Sequence, residues 1–184
     1  MKDNKILKLA FVLLVICAVT AGILGIVNAL TAQRIYDMAH AKEFEAYAVV
    51  LASSSGYSEV SFDKEAFPTV DSIMTSNDGN GHVVKSTFSG AQGSITMVCG
   101  VDNDLKCTGI SIIEHSETSG LGAVAAANSA AGEAFRDQFI GQGSDIALSK
   151  AGGSIDALAG ATITSNAVAG ATATSIAAVE SVKA

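Results

Sequence analysis

An uncharged apolar stretch near the N-terminus limits the fold of this chain before any other feature is considered. From Leu9 to Leu30 the only polar side chains are Thr20 and Asn28. About 20 consecutive apolar residues are enough for a helix to cross the hydrocarbon core of a bilayer. We therefore predict a single transmembrane helix over residues 9–31, in contact with membrane lipid, with residues 1–8 on one side of the membrane.

Basic residues around this stretch indicate its orientation. Lys2, Lys5 and Lys8 precede it, whereas Arg34 and Lys42 follow it in the company of acidic side chains. Because cytoplasmic flanks are enriched in Lys and Arg, the N-terminus is predicted to be cytoplasmic and the remainder extracytoplasmic, at the cell (inner) membrane.

Two other readings of the N-terminus remain open. A cleaved secretory signal ending near Ala21 is the main rival, but the apolar run exceeds the 7–15 residues of an ordinary signal core. Cys17 also suggests a lipoprotein, although Val15 and Ile16 stand where small residues are usual. The length of the run favours a retained anchor.

The rest of the chain has the size and composition of one water-exposed domain. The chain has 184 residues and a formal net charge of −7, which argues against nucleic acid as a partner. Residues 32–55 are predicted to form a juxtamembrane helix and linker, and residues 56–184 the domain itself. A turn is predicted over 77–81, where Asn, Asp and Gly cluster.

Hydrophobic periodicity predicts strands first and helices later. The β-branched runs 82–88, 94–101 and 108–113 alternate with Gly-, Ser- or Asp-rich breaks and are predicted to form an antiparallel sheet. Helical spacing predicts helices over 123–140 and from about Asn166 onwards. The expected fold is therefore α+β, with an N-terminal transmembrane helix and an antiparallel sheet packed by helices.

Cys99 and Cys107 flank the predicted turn between the last two strands. A register that pairs them directly would bring their Cβ atoms near disulfide distance, whereas a register shifted by one residue would separate them. The sequence leaves the choice between thiols and a disulfide open.

Small and hydroxyl-bearing residues precede the last helix. Gly160 and Ala161 allow the backbone to approach an anion closely, and Thr162 supplies a hydroxyl group. The run Thr164-Ser165-Asn166 consists of residue types that cap helix N-termini, where the helix dipole favours negative charge. On physical grounds alone an ordinary capped helix is the favoured interpretation, because helix caps are common and short Gly motifs are weakly specific.

The same run resembles the flavinylation motif of the RnfG family, whose longer relatives are the NqrC proteins of the Na⁺-pumping quinone reductase. That family shows an Asp, then Ser or Thr, then Gly-Ala-Thr, and Asp156 and Thr162 stand in the matching places. The resemblance implies that Thr162 carries FMN through a phosphoester bond, attached by an FAD-dependent flavin transferase. Ala159 departs from the usual Ser or Thr and puts one hydroxyl contact in doubt.

A second motif, His115–Gly122, resembles the family's Glu-Thr-Pro-Gly-Leu-Gly with Ser119 in place of Pro. Gly residues allow main-chain approach to a flat ring, and Glu and Thr offer an acceptor and a hydroxyl group. Without the resemblance this would be a solvated loop. The cofactor-binding residues implied by the two motifs are Glu117, Thr118, Gly120, Leu121, Gly122, Gly160, Ala161 and Thr164.

The resemblance implies an electron-carrying flavoprotein subunit of a membrane Rnf complex, a translocase that couples electron flow between ferredoxin and NAD⁺ to Na⁺ or H⁺ translocation. Its expected partners are the other Rnf membrane subunits. Alternatives are an NqrC-type subunit, a stand-alone extracytoplasmic flavoprotein reductase, and a membrane-anchored binding module without a redox role. No catalytic nucleophile–base pair is recognisable.

A metal site is not expected. Glu114, His115 and Glu117 are residue types that ligate metals, but the sequence offers no second compact cluster of His or Cys to complete a coordination shell. Histidine at a strand end is more often a surface residue.

Overall fold

The computed structural model describes residues 3–183, and in its first helix it describes no side chains for residues 3–7, 9 and 33–40. Helix α1 covers Asp3–Val50. The chain divides into two compact units, Met1–Lys42 and Glu43–Ala184, so that most of α1 belongs to the first unit and its last turns to the second. The predicted contribution of Lys2 to membrane orientation lies outside the described residues.

The first unit is a helix with an apolar surface. Residues Ala10–Ala32 have a mean hydropathy of 2.8, and none of the side chains in this stretch is buried within the structure. By length and composition this helix is sufficient to cross a membrane, a test that an N-terminal signal sequence also passes. The predicted helix after residue 32 is present as the continuation of α1 to Val50.

The second unit contains a five-stranded antiparallel sheet whose strands are ordered as they occur in the chain. The strands are β1 (Tyr57–Val60), β2 (Val70–Ser76), β3 (Gly81–Ser89), β4 (Ser94–Asp102) and β5 (Cys107–His115). The three strands predicted from residue 82 onwards correspond to β3, β4 and β5, and the predicted turn at 77–81 joins β2 to β3. Together with its helices, this sheet confirms the predicted α+β class.

Helices cover the sheet on both faces. On one face, buried residues of the sheet pack with the C-terminal helix α3 (Thr162–Lys183) and the short helix α2 (Ala130–Asp137). On the other face, Val83 and Val98 pack against Tyr47, Val50 and Leu51 at the end of α1. The last turns of α1 are therefore part of the core of the second unit.

The end of α1 packs against a pair of glycines in the sheet. Gly100 of β4 and Gly109 of β5 are direct cross-strand partners. There is no room for a side chain at Gly100, because a Cβ there would lie 2.5 Å from the carbonyl oxygen of Val50. The Thr108 hydroxyl donates to that same oxygen at 2.5 Å, so the last carbonyl of α1 is satisfied by the sheet.

The predicted helix over 123–140 is wrong as a single element. The structure has a 3₁₀ helix over Gly122–Ala126, then Ala127 in an extended conformation, and then α2, whose N-cap Ser129 accepts a hydrogen bond from the Gly132 amide. The Arg136 guanidinium donates to the carbonyl oxygens of Ala125 and Ala127 at 2.8 and 3.0 Å, which satisfies the backbone groups released by the break.

The predicted start of the last helix near Asn166 is also wrong, because α3 begins at Thr162. Thr164 and Ser165 lie inside its first turn rather than capping it. The Ser165 hydroxyl donates to the Ala161 carbonyl at 2.9 Å and accepts from the Leu158 amide at 3.0 Å. Ser165 therefore ties the segment that enters the helix to the helix itself.

Cys99 and Cys107 are free thiols in this structure. They are not direct cross-strand partners, since Cys99 pairs with Ile110 and Cys107 with Val101. A register shift at Gly100 nevertheless brings their sulfur atoms to 3.8 Å inside the core. Their contact raises the pKa of the Cys99 thiol and lowers that of the Cys107 thiol.

Candidate functional site

A pocket of about 360 Å³ lies in the second unit where three segments converge. These segments are the turn between β3 and β4, the loop that follows β5, and the N-terminal end of α3. Small-molecule sites are typically concave clefts of roughly 300–1,000 Å³, so the pocket has the size of a ligand site. Its lining residues are Ala91, Gln92, Glu117, Thr118, Leu121, Gly122, Gly160, Ala161, Thr162, Ile163 and Thr164.

The structure brings together most of the residues that the two sequence motifs singled out. Glu117, Thr118, Leu121 and Gly122 come from the loop after β5, and Gly160, Ala161, Thr162 and Thr164 come from the entrance to α3. Gly120, Asp156 and Ala159 do not line the pocket. Ala91 and Gln92 also line it, although they lie outside both motifs, and so does Ile163, which lies between Thr162 and Thr164 in the second of these segments.

The approach to α3 depends on glycine at position 160. Gly160 has a φ of +71°, a backbone conformation that residues with a Cβ rarely adopt. The chain turns here and enters the helix, with the Ala161 amide donating to the Leu158 carbonyl at 3.0 Å. The turn leaves the first residues of α3 at the wall of the pocket.

Thr162 is the first residue of α3, and its side chain is exposed. The first amide groups of a helix have no carbonyl partner within the helix, and the helix dipole gives this end a partial positive charge. The pocket therefore combines an accessible hydroxyl group with backbone N–H groups that favour an anion.

Thr164 differs from Thr162 although it lies in the same helical turn. Only 1% of its surface is exposed. Its hydroxyl donates to Oε2 of Glu117 at 2.5 Å. Thr164 therefore faces the loop after β5 and is engaged within the protein.

Glu117 is the most highly connected polar residue of the pocket. Its Oε1 accepts hydrogen bonds from the Ala91 and Gln92 amides at 2.8 and 3.1 Å, while its Oε2 accepts from Thr164. Burial raises the pKa of this carboxyl, but the hydrogen bonds from Thr164, Gln92 and Ala91 outweigh burial and hold the pKa below its ordinary value. Glu117 is therefore an ionised and nearly buried carboxylate.

The loop that contains Glu117 closes with a tight turn. The Thr118 carbonyl accepts from the amides of Leu121 and Ala123, each at 3.2 Å, and Gly120 adopts a φ of +77°. Leu121 keeps 44% of its surface exposed beside the pocket, and its Cδ2 would lie 3.0 Å from a Cβ at Gly160. Gly120 thus shapes the turn, whereas Leu121 provides an apolar wall.

Asp156 and Ala159 lie on the exposed segment that leads to α3. Gln138 at the end of α2 holds this segment, because its side chain accepts from the Asp156 amide at 2.7 Å and donates to the Asp156 carbonyl at 3.3 Å. The Asp156 side chain remains exposed. Both residues are therefore accessible from outside the pocket.

The residues considered as metal ligands do not form a cluster. Glu114 and His115 are exposed at the end of β5, and Nδ1 of His115 accepts from the Glu117 amide at 3.3 Å. Over residues 3–183, within the side chains described, no group of three or more His, Cys, Asp or Glu has a metal-binding arrangement.

Comparison with known proteins relates this pocket to a family. Residues 90–176 match the model of an FMN-binding domain, and residues 1–50 match that of the RnfG N-terminal region. The G subunit of the ion-translocating oxidoreductase complex of Methanosarcina acetivorans is 32% identical over 174 residues, which are 90% of this chain and 90% of that protein. The chain belongs to the RnfG family.

A second relative supports the assignment. The G subunit of the Na(+)-translocating ferredoxin:NAD(+) oxidoreductase complex of Acetobacterium woodii is 31% identical over 181 residues, covering 87% of this chain and 84% of the relative. The FMN-binding match spans the whole pocket, from the turn that contains Ala91 to the first turns of α3. The pocket therefore lies within the matched FMN-binding domain.

The residues present fit FMN. The exposed Thr162 hydroxyl and the N-terminal amides of α3 suit the phosphate, and Leu121 and Ile163 offer exposed apolar surface to a flat ring, Ile163 with 68% of its surface exposed. Thr118 and the backbone of the loop after β5 supply polar groups.

Proposed function

We propose that this RnfG-family protein is an electron-carrying subunit of a membrane Rnf complex, with FMN bound by a phosphoester to Thr162. The observation that carries the proposal is the position of Thr162, whose exposed hydroxyl opens into the pocket at the N-terminus of α3. When bound there, the flavin supplies the redox chemistry, while the protein fixes its position and surroundings.

The selection of Thr162 over its neighbours follows from burial and hydrogen bonding. Thr164 and Ser165 are buried, and their hydroxyl groups donate to Glu117 and to the Ala161 carbonyl respectively. Thr162 has the exposed side chain of the three. A transferase that approaches from solvent therefore meets the hydroxyl of Thr162 first.

Charge favours the same position. A phosphodiester keeps one negative charge, and the N-terminus of a helix stabilises an anion by about 0.3–1 kcal/mol when exposed and by more when partly buried. Asp156 and Ala159 lie on the exposed segment before α3, where a flavin transferase can contact them. We assign these two residues to recognition during maturation rather than to the finished site.

The relatives' names support the place of this protein in a larger assembly. One is named as a subunit of an ion-translocating oxidoreductase complex, and the other as a subunit of a Na(+)-translocating ferredoxin:NAD(+) oxidoreductase complex. We propose the same type of complex here, with ferredoxin and NAD⁺ bound by other subunits and with Na⁺ or H⁺ as the coupling ion. The helix at residues 10–32 would anchor the protein, with its N-terminus in the cytoplasm and its FMN domain outside.

The test uses the full chain produced with the flavin transferase in its membrane. Denaturing gel fluorescence and intact mass should show one covalently bound FMN on the wild-type chain. T162V should be dark and lack the added mass, whereas T162S, which keeps a hydroxyl group, should retain at least part of the flavin. T174V is the matched control, because Thr174 lies later in the same helix and its hydroxyl donates to the Gly170 carbonyl.

Two outcomes would contradict the proposal. Wild-type chain that carries no flavin after production with the transferase would remove the covalent cofactor, and T162V as bright as the wild type would move it elsewhere. Copurification of the flavinylated chain with Rnf membrane subunits then separates a complex subunit from a stand-alone reductase.

A further inference from the structure

The two oxygens of the Glu117 carboxylate bind to two different parts of the pocket. Oε1 accepts from the Ala91 and Gln92 amides in the turn between β3 and β4, and Oε2 accepts from the Thr164 hydroxyl in α3. In the order Gln92, Ala91 and Thr164, these partners are 25, 26 and 47 residues away in the sequence. One side chain therefore joins all three segments that enclose the pocket.

Glycines pack closely around this carboxylate. A Cβ placed on Gly122 would lie 2.6 Å from Oγ1 of Thr164 and closer still to Oε2 of Glu117. A Cβ placed on Gly90 would lie against Oε1 of Glu117 and 2.7 Å from Ile95. With glycines on both sides and about three of its four acceptor positions in use, the carboxylate is held in one orientation.

We propose that Glu117 is a positioning residue, whose ionised carboxylate joins the β3–β4 turn to the first turn of α3 and acts on the occupant of the pocket through that link and its charge. This differs from the direct contact with the cofactor that the family resemblance implies. The part that concerns the cofactor rests on the proposed function.

The charge has a consequence that a purely structural role lacks. Glu117 lines the pocket as a buried anion. A fixed negative charge beside a flavin disfavours the addition of electrons to it, and the effect is large where water does not screen the charge. Glu117 should therefore lower the midpoint potential of the bound flavin.

Hydrogen exchange on the full chain before flavin attachment tests the link itself. In the wild type, peptides that contain the Ala91 and Gln92 amides should be protected. E117A should accelerate their exchange by at least about tenfold, because hydrogen bonds to an ionised acceptor are stronger than neutral ones. T164V removes the hydroxyl group but keeps the side-chain shape, and it should accelerate the exchange of these amides to a smaller extent. T164S keeps the hydroxyl group and should exchange like the wild type.

The turn between β4 and β5 provides an internal control. Asp102 accepts there from the amides of Asp104 and Lys106, each at 2.9 Å, in the same kind of carboxylate-to-backbone link. Exchange in this turn should be unchanged in E117A and T164V. Faster exchange in both turns would show general loss of structure and would overturn the link, as would unchanged exchange of Ala91 and Gln92 in E117A.

The midpoint potential of the flavinylated chain tests the charge. E117Q keeps the side-chain shape and removes the charge, so its potential should be higher than that of the wild type. D102N removes a carboxylate that does not line the pocket and should leave the potential unchanged. An unchanged or lower potential in E117Q would overturn the electrostatic part. If the wild type carries no flavin, the proposed function fails, and hydrogen exchange still decides the role of Glu117.

Discussion

Gly100 of β4 lies directly against the carbonyl group of Val50, the last residue of α1. A Cβ at Gly100 would lie 2.5 Å from the Val50 oxygen and closer still to the Thr108 hydroxyl that binds it. Its cross-strand partner Gly109 is less crowded, since a Cβ there would lie 3.6 Å from Cα of Val50. The end of α1 therefore fits against the sheet because residue 100 has no side chain, whereas residue 109 has room for a small one.

Substitution of this glycine should destabilise the domain. We expect G100A to lower the free energy of unfolding by about 1–3 kcal/mol, because the added methyl group overpacks against backbone. G109A is the matched control and should change it by no more than about 1 kcal/mol in either direction. Thermal unfolding of the full chain in detergent compares the two. Equal losses of stability in both variants would show that the close contact between Gly100 and Val50 does not decide the effect.

The thiols of Cys99 and Cys107 should react only after unfolding. Both are buried, with 0% and 1% of their surface exposed, and both are free. In a C17S background, we expect a maleimide to label neither residue in the folded protein and both residues in denaturant without reductant. C99S should then take one label. Labelling that requires prior reduction would show instead that the two sulfur atoms, 3.8 Å apart here, are joined in a disulfide.

Some parts of the fold were predictable because they depend on local patterns. The N-terminal helix is indicated by the length of its uncharged apolar run, and the strands from residue 82 by alternation of apolar and polar residues. The sequence pattern does not predict β2, because Asp71 and Ser72 interrupt its apolar residues, or β1, because it has only 4 residues. The prediction of one helix over 123–140 is wrong because Ser129 caps a new helix within the Ala-rich run.

Most residues that line the candidate pocket lie in the two motifs, but the hydrogen bonds between them were not predictable. The two motifs placed Glu117 and Thr164 in one pocket, yet they did not reveal that these side chains bind each other across 47 residues. Ala91 and Gln92 contribute backbone amides, which any residue type provides, so their side chains carry no signal. Such links follow from the strand register and from the packing of α3, which sequence patterns alone do not specify.

Gly160 should matter for flavin attachment, and Gly152 should not. Both adopt positive φ, +71° and +87°, so alanine should cost each of them about 1–2 kcal/mol of backbone strain. Only Gly160 lies in the pocket, where its Cβ would meet Leu121 at 3.0 Å, while a Cβ at Gly152 meets nothing within 4 Å. Because both substitutions strain the backbone in the same way, we expect similar drops in thermal stability for G160A and G152A.

Flavin fluorescence on a denaturing gel distinguishes these variants. The G160A band should be several-fold weaker than that of the wild type, because the turn that presents Thr162 is displaced, and the G152A band should be unchanged. A G160A chain that loads flavin as well as G152A would show that the turn at Gly160 does not control access to Thr162.

Acid should weaken the link formed by Glu117. Its pKa lies below the ordinary value of 4.5, since the hydrogen bonds from Thr164, Gln92 and Ala91 outweigh the opposing effect of burial. A carboxyl group with a depressed pKa contributes stability that is fully present above its unfolded-state pKa and is lost as the pH falls through the folded-state pKa. The contribution should therefore be constant above 4.5 and decline below it.

Thermal unfolding of wild type and E117Q against pH measures this contribution. The difference in melting temperature should stay constant between about pH 5 and pH 7 and shrink as the carboxylate is protonated at lower pH. The charge of His115 also favours the ionised form of Glu117. The comparison is therefore repeated in an H115Q background, which removes the contribution of that charge. A difference that persists undiminished into acid would mean that the carboxylate charge is not what stabilises the folded domain at this position.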